Sequence, residues 1–238
     1  MGKASFKPVG TQRAFELVCD RVREKLLKGE LKSGDTLPPE SELALQLNVS
    51  RNVVREALRS LESAGIVTLG KGASGASILS GEPTRLANAL GDLITLNSIS
   101  LEDLFEARTL ILEMVLDRIG KIARRPDVSR LERILVETKA ACAAGDIRRR
   151  LDCGVEFYHE LTGMTGNSAL VFTVDAQTKL IQNFLQYRVS DMPVRTLLTS
   201  REIFVRLLKN GEVEAAKIEL RAHLGRVHAS LRFPHLGS

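Results

Sequence analysis

Apolar residues recur at helical spacing from the start of the chain. Over residues 11–28, Phe15, Val18, Val22, Leu26 and Leu27 mark one face of a helix, and Gly29 stops it. Leu31 to Leu37 is a turn-rich extension carrying Ser33-Gly34-Asp35. Pro38-Pro39-Glu40-Ser41-Glu42 then opens a short helix through Leu47, with proline near its first position and acids in its first turn. Asn48-Val49 makes a turn, and Ser50 is placed to cap a third helix reaching about Ala64. Two β runs, Ile66 to Leu69 and Ala76 to Leu79, flank the glycine-rich tip Gly70 to Gly75 and predict a hairpin. After Gly81-Glu82-Pro83 the pattern is helical almost to the end. It predicts helices over 84–97, 101–124, 128–144, 147–163, 167–189, 193–209 and 212–231. Pro126, Gly145, Gly166, Pro193 and Gly211 separate them, and Asn167 and Asp191 stand at cap positions.

The predicted fold class is therefore mainly α. An N-terminal helix-turn-helix with a small β-hairpin wing occupies residues 10–80, and an all-α antiparallel bundle of about seven helices occupies 84–231. Composition narrows the partners. Of 238 residues, 44% are hydrophobic and 26% charged, which excludes a disordered or collagen-like chain. Apolar runs such as Leu110-Ile111-Leu112 are far too short to span a bilayer, and no apolar stretch follows Lys3 and Lys7, so neither a membrane partner nor a secretory signal is expected. The three cysteines (Cys19, Cys142, Cys153) form no framework or CxxC knuckle, which suits a reducing cytoplasm. Tryptophan is absent and aromatics are 4%, against a stacking platform for single-stranded nucleic acid. The net charge of +5 is compatible with a nucleic-acid partner; residues 1–80 carry +3 of it.

The helix pair 40–47 and 50–64 points to duplex DNA. Ala44, Leu47, Val49, Val54 and Leu58 are spaced to pack the two helices together. The second helix then presents Ser50, Arg51, Asn52, Val53 and Arg55 near its N-terminus, where a recognition helix meets base edges in the major groove. Arg51 and Arg55 share a face and can each donate two bonds to a guanine. Ser50 and the helix N-terminus suit a backbone phosphate, and Lys71 and Gly72 at the wing tip are placed for a neighbouring groove or backbone.

The run Leu31-Lys32-Ser33-Gly34-Asp35-Thr36-Leu37-Pro38-Pro39-Glu40-Ser41-Glu42-Leu43-Ala44, with Val49 to Leu58 and Leu61 to Val67, resembles the winged-helix domain of GntR-family transcription regulators over about residues 15–80. The resemblance implies base contacts from Arg51 and Arg55, a duplex-facing position for Ser50, Asn52 and Val53, and a wing contact from Lys71 and Gly72. Ser41 stands where some members carry arginine, so one contact of the family is missing.

Residues 84–231 are similar to the FCD-type effector domain of the FadR branch of that family. Leu104-Phe105-Glu106-Ala107-Arg108, Glu156 to Thr162, Gly166-Asn167-Ser168 and the stretch from Gly211-Glu212 to Ala222-His223-Leu224 carry the likeness. It implies a helical bundle around a ligand cavity, often with a divalent metal held by one Asp and three His. Here Val155 falls at the Asp, His159 at the first His, Arg201 at the second and His223 at the third. The usual four-ligand site is incomplete, so no cofactor is expected; an ion, if retained, would fall to His159, His223 and Glu156. Arg201 is expected instead to clamp the carboxylate of an acidic effector, with His159 and His223 as further donors and Arg108 and Glu156 as pocket groups.

Two functions follow. One is a ligand-responsive regulator, a repressor by family precedent, that binds a pseudo-palindromic DNA operator as a homodimer and answers to a small carboxylic acid. The other is a small-acid hydrolase or isomerase using His159 with Glu156 or Glu160, although no nucleophile motif, P-loop or dinucleotide fingerprint accompanies them.

Overall fold

The computed structural model describes residues 12–70, 75–185 and 194–231. The chain divides between Gly81 and Glu82 into two compact units.

The first unit contains α1 (Gln12–Leu27), α2 (Glu40–Leu47), α3 (Arg51–Ser63), β1 (Val67–Leu69) and β2 (Ala76–Ile78). The apolar faces of its helices meet in a core of Val18, Val22, Leu43, Val54, Leu58 and Leu61, closed by Val67 and Ile78 from the hairpin. Between α2 and α3, Asn48 takes a left-handed backbone (φ 52°), a conformation that asparagine tolerates better than most residues. The strands pair antiparallel, with Val67 opposite Ile78 and Leu69 opposite Ala76. The extension before α2 is more ordered than its turn-rich composition predicts. Leu37 N–H donates to the Ala76 carbonyl (2.7 Å), and Ile78 N–H donates to that of Asp35 (2.7 Å), so this segment pairs with β2.

The second unit is all helix among its described residues: α4 (Pro83–Thr95), α5 (Leu101–Ile122), α6 (Ser129–Ala144), α7 (Ile147–Gly163), α8 (Ser168–Leu185), α9 (Val194–Asn210) and α10 (Val213–Ala229). Helix α5 is the spine. Its Leu112, Val115, Leu116 and Ile119 are fully buried against Leu131, Phe157, Leu161, Val174, Phe204, Leu208 and Leu220. Side-chain caps fix several starts. Ser100 and Asp103 exchange hydrogen bonds in a capping box on α5, Asp146 accepts from Arg149 N–H, and Asn167 accepts from Ala169 and Leu170 N–H as its position predicts. The α9–α10 turn requires glycine. Gly211 has φ +80°, and a Cβ there would lie 2.1 Å from the Arg124 carbonyl oxygen.

All three cysteines are free thiols. No helix among the described residues is long and apolar enough to cross a membrane. Lys71 and Gly72 of the wing tip, and the cap position Asp191, lie outside the described residues.

Candidate functional site

In the first unit, Ser50 caps α3 by accepting a hydrogen bond from Val53 N–H (3.3 Å), which turns the start of the helix toward solvent. Arg51, Asn52 and Arg55 are exposed there, while Val54, Ala57 and Leu58 face the core. Val53 is half-buried and packs against the core edge, so it offers the duplex only part of its surface. Arg51 has no ion-pair partner among the described residues. Arg55 is held: its Nε and Nη2 donate to the Glu40 carboxylate, at 3.2 and 2.8 Å to Oε2. That pair pushes the already high pKa of Arg55 further up. The exposed start of α3 thus carries Arg51, with no ion-pair partner among the described residues, and Arg55, tethered to Glu40.

The second unit holds a partly open cavity within the bundle, lined mainly by apolar side chains with a few convergent polar groups. Arg108, Tyr158, Thr178, Arg201 and His223 form its polar wall, and no Asp or Glu lines it among the described residues. Arg108, from α5, is 2% exposed. Its Nη1 donates to Thr178 Oγ1 (2.9 Å), its Cζ lies 4.5 Å from the Tyr158 ring centroid, and its Nε has no partner. Burial pushes its guanidinium below the ordinary arginine value, with Tyr158 opposing the shift. Arg201, from α9, lies over the same aromatic surface, its Cζ 5.0 Å from the Phe157 centroid and 5.8 Å from that of Tyr158. Its Nε is also unpartnered. His223, from α10, is 2% exposed, and neither ring nitrogen has a hydrogen-bond partner. Burial first, then the charges of Arg201, Arg226 and Arg108, hold its pKa well below that of an ordinary histidine, so the ring is neutral.

The structure therefore brings together Arg108, Arg201 and His223, and separates them from two residues expected beside them. His159 has a side chain 54% exposed on the outer face of α7, where Nδ1 meets Asp175 Oδ2 at 2.7 Å. Glu156 also faces outward and takes Arg149 in a bidentate pair. The physical reason is the 100° turn per helical residue. On α7, Leu151, Gly154, Val155 and Tyr158 face the cavity, while Glu156 and His159 fall on the outer side. Tyr158 therefore takes the cavity-facing place expected of His159, with Gly154 one turn before it and Val155, at the expected Asp position, offering no ligand atom. Gly154 supplies no ligand either, and a Cβ at its position would sit 3.6 Å from Arg201 Nη2.

A divalent cation does not fit this donor set. Its ring of would-be ligands is a valine, a phenol, a guanidinium and one imidazole, with Arg108 close by. Nor can His159, His223 and Glu156 form an alternative site, since His223 is enclosed and the other two point outward. Among the described residues, the one acid-and-thiol group close enough to share an ion is Glu137, Cys153 and Glu156, and Arg149 already bridges its two carboxylates.

Arg108 is buried in the cavity wall, with the Tyr158 ring beside it. Glu113, on the same helix, accepts from Arg221 (Nε–Oε1 2.8 Å). His228 stacks flat on Phe105 at the cavity wall (3.7 Å between centroids). Tyr187, also considered as a pocket hydroxyl, lies outside the described residues.

The two units match two known domains. Residues 15–75 match the bacterial regulatory proteins of the gntR family, and residues 103–226 match the FCD domain. The Uxu operon transcriptional regulator of Escherichia coli (strain K12) is 27% identical over 227 residues, covering 92% of this chain and 87% of that protein. The Exu regulon transcriptional regulator of the same organism is 26% identical over 218 residues, covering 90% and 82%. Among solved structures, a Streptococcus agalactiae GntR protein superimposes with a TM-score of 0.61 at 25% identity, over 90% of this chain and 99% of that one. These matches describe transcription regulators rather than enzymes. The chain belongs to the GntR family of DNA-binding transcription regulators, in the branch whose C-terminal unit is an FCD domain.

Proposed function

We propose that this regulator is a cytoplasmic repressor that binds a pseudo-palindromic operator as a homodimer and is released or retuned by a small carboxylic acid held in the FCD cavity without a metal ion. The observation that carries the reading is the cavity's concentration of positive charge: Arg108 and Arg201 line it, the Nε of each is buried without a partner, and no acid lines it among the described residues. A buried charge left unpaired is costly, and a carboxylate supplies the missing partner with paired acceptors. A dimer follows from the symmetry logic of operator binding, since two reading heads match two half-sites.

The test is an electrophoretic shift of DNA flanking the gene, run at several salt concentrations with and without carboxylic acids. Arg51→Ala should weaken specific binding by roughly tenfold or more, the loss of one bidentate base contact. Specific binding that survives Arg51→Ala and Arg55→Ala together would overturn the assignment of α3 as the reading helix. Acids that leave every shift unchanged would overturn the assignment of the effector class.

A further inference from the structure

The cavity is chemically two-sided, and the apolar side is the larger. Arg108, Tyr158, Thr178, Arg201 and His223 cluster on its polar wall, with Thr138, Arg150, Gln182 and His228 elsewhere on the lining. Leu151, Ile181, Leu185, Leu197, Leu198 and Val227 line much of the remainder. The other polar groups on the wall are already engaged. The Gln182 amide donates to Asp152 (2.9 Å), the Thr138 hydroxyl to the Ile134 carbonyl, and the Thr178 hydroxyl to the Val174 carbonyl while it accepts from Arg108. Arg150 has a partner of its own. What remains open to a ligand is the Arg108–Arg201–His223 group and a surface of aliphatic carbon.

We infer that the effector is an amphiphilic monocarboxylate, an acid head with an unsubstituted hydrocarbon body, taken up without a divalent ion. This rests on the reading of the FCD unit as an acid sensor and narrows it. Both guanidiniums lie against one aromatic surface, Arg108 over Tyr158 and Arg201 over Phe157 and Tyr158, so their free edges serve a single anionic head. Arg201 places fixed positive charge at the position where the family resemblance puts a metal ligand, which removes both the room and the electrostatic demand for an ion. The body of the ligand then lies on leucine, isoleucine and valine. Hydroxyl groups there would give up water without gaining partners. A second carboxylate would be buried away from both free guanidiniums.

The experiment is calorimetric titration of the full chain, dialysed against chelator, with acetate, butyrate, hexanoate and octanoate. Hexanol, adipate and the polyhydroxylated acid gluconate serve as comparisons. The expected result is binding in chelator, with affinity rising about fourfold per added methylene until the cavity is filled. Gluconate and adipate should bind at least roughly tenfold more weakly than hexanoate. Gluconate or adipate binding more tightly than hexanoate, or an affinity flat along the series, would overturn the hydrocarbon body while leaving the acid sensor intact. Binding that returns only when zinc, nickel or manganese is added back would overturn the ion-free head. Hexanol binding as tightly as hexanoate would overturn the acid sensor itself.

Discussion

Arg55 and Glu40 join the two helices of the reading head: one residue from the recognition helix and one from the first turn of α2 share a bidentate ion pair at its surface. Both are solvent-accessible, so the pair contributes little to folding. Its consequence is for recognition. Arg55 is pre-positioned, and it must exchange or share a carboxylate when it meets a base or phosphate. Glu40 also sets a negative charge beside the basic start of α3, which would disfavour indiscriminate binding to a polyanion. Glu40→Gln should raise affinity for non-operator DNA and steepen its salt dependence, while the ratio of operator to non-operator affinity falls. The melting temperature should barely move. Titrating both DNAs at two salt concentrations measures this, and an unchanged ratio would show that Glu40 takes no part in discrimination.

Gly154 and Arg201 give a second prediction. The space beside Gly154 is open enough for a side chain, because a Cβ there meets Arg201 Nη2 only at ordinary contact distance. Gly154→Asp would place a carboxylate against that guanidinium and fill the head site from within the protein. Affinity for hexanoate should fall by on the order of 100-fold, as when a charge partner is taken from a binding contact. Gly154→Ala, which adds the Cβ without the charge, should keep affinity within a few-fold. Calorimetry on both variants decides it, and equal losses in the two would mean that steric filling, not charge, is responsible.

The helices were legible because side-chain periodicity reports directly which face is buried, and the caps Ser50 and Asn167 are local chemistry. What failed to show was longer-ranged or finer than that signal. In Phe157-Tyr158-His159, each residue turns the helix by 100°, and local pattern does not decide which of the last two faces the cavity; packing of α7 against α6 and α8 does. The burial of Arg108 depends on Thr178, seventy residues away. The pairing of the Leu37 segment with β2 uses backbone groups, which leave no trace in side-chain spacing. The exposed start of α3 was readable because its cap is local, although the Arg55–Glu40 pair across to α2 was not.

Arg108 should prove a functional residue held at a cost to stability. It is buried, it donates to the neutral Thr178 hydroxyl, and no acid lines the cavity among the described residues. Replacing such a group with an apolar side chain of similar length is commonly neutral or stabilising, by roughly 1–4 kcal/mol. Thr178 would keep its bond to the Val174 carbonyl. Arg108→Met should therefore melt at or above the temperature of the parent protein in the absence of ligand, and lose the upward shift that hexanoate gives the parent. Thermal unfolding with and without the acid measures both. A drop of several degrees in the ligand-free variant would mean that the guanidinium is structurally required.

His223 links the cavity to pH in two opposite senses. In the free protein its pKa lies well below that of the same residue in the unfolded chain, about 6.5, so the unfolded state takes up the proton first. Its contribution to stability is therefore present above about pH 6.5 and declines as the pH falls, by up to about 1.4 kcal/mol per unit, until the folded-state pKa is reached. A bound carboxylate reverses the preference, because an adjacent negative charge favours the imidazolium and raises the pKa of His223 in the complex. Binding must then take up protons, and affinity for hexanoate should rise as the pH is lowered from about 7.5 to 5.5, where the acid itself stays largely ionised. Calorimetry in buffers of different ionisation enthalpy counts those protons. His223→Gln, which keeps a donor but cannot titrate, should show no uptake and a flat affinity over this range. Equal proton uptake by the parent and the variant would place the linkage on another group.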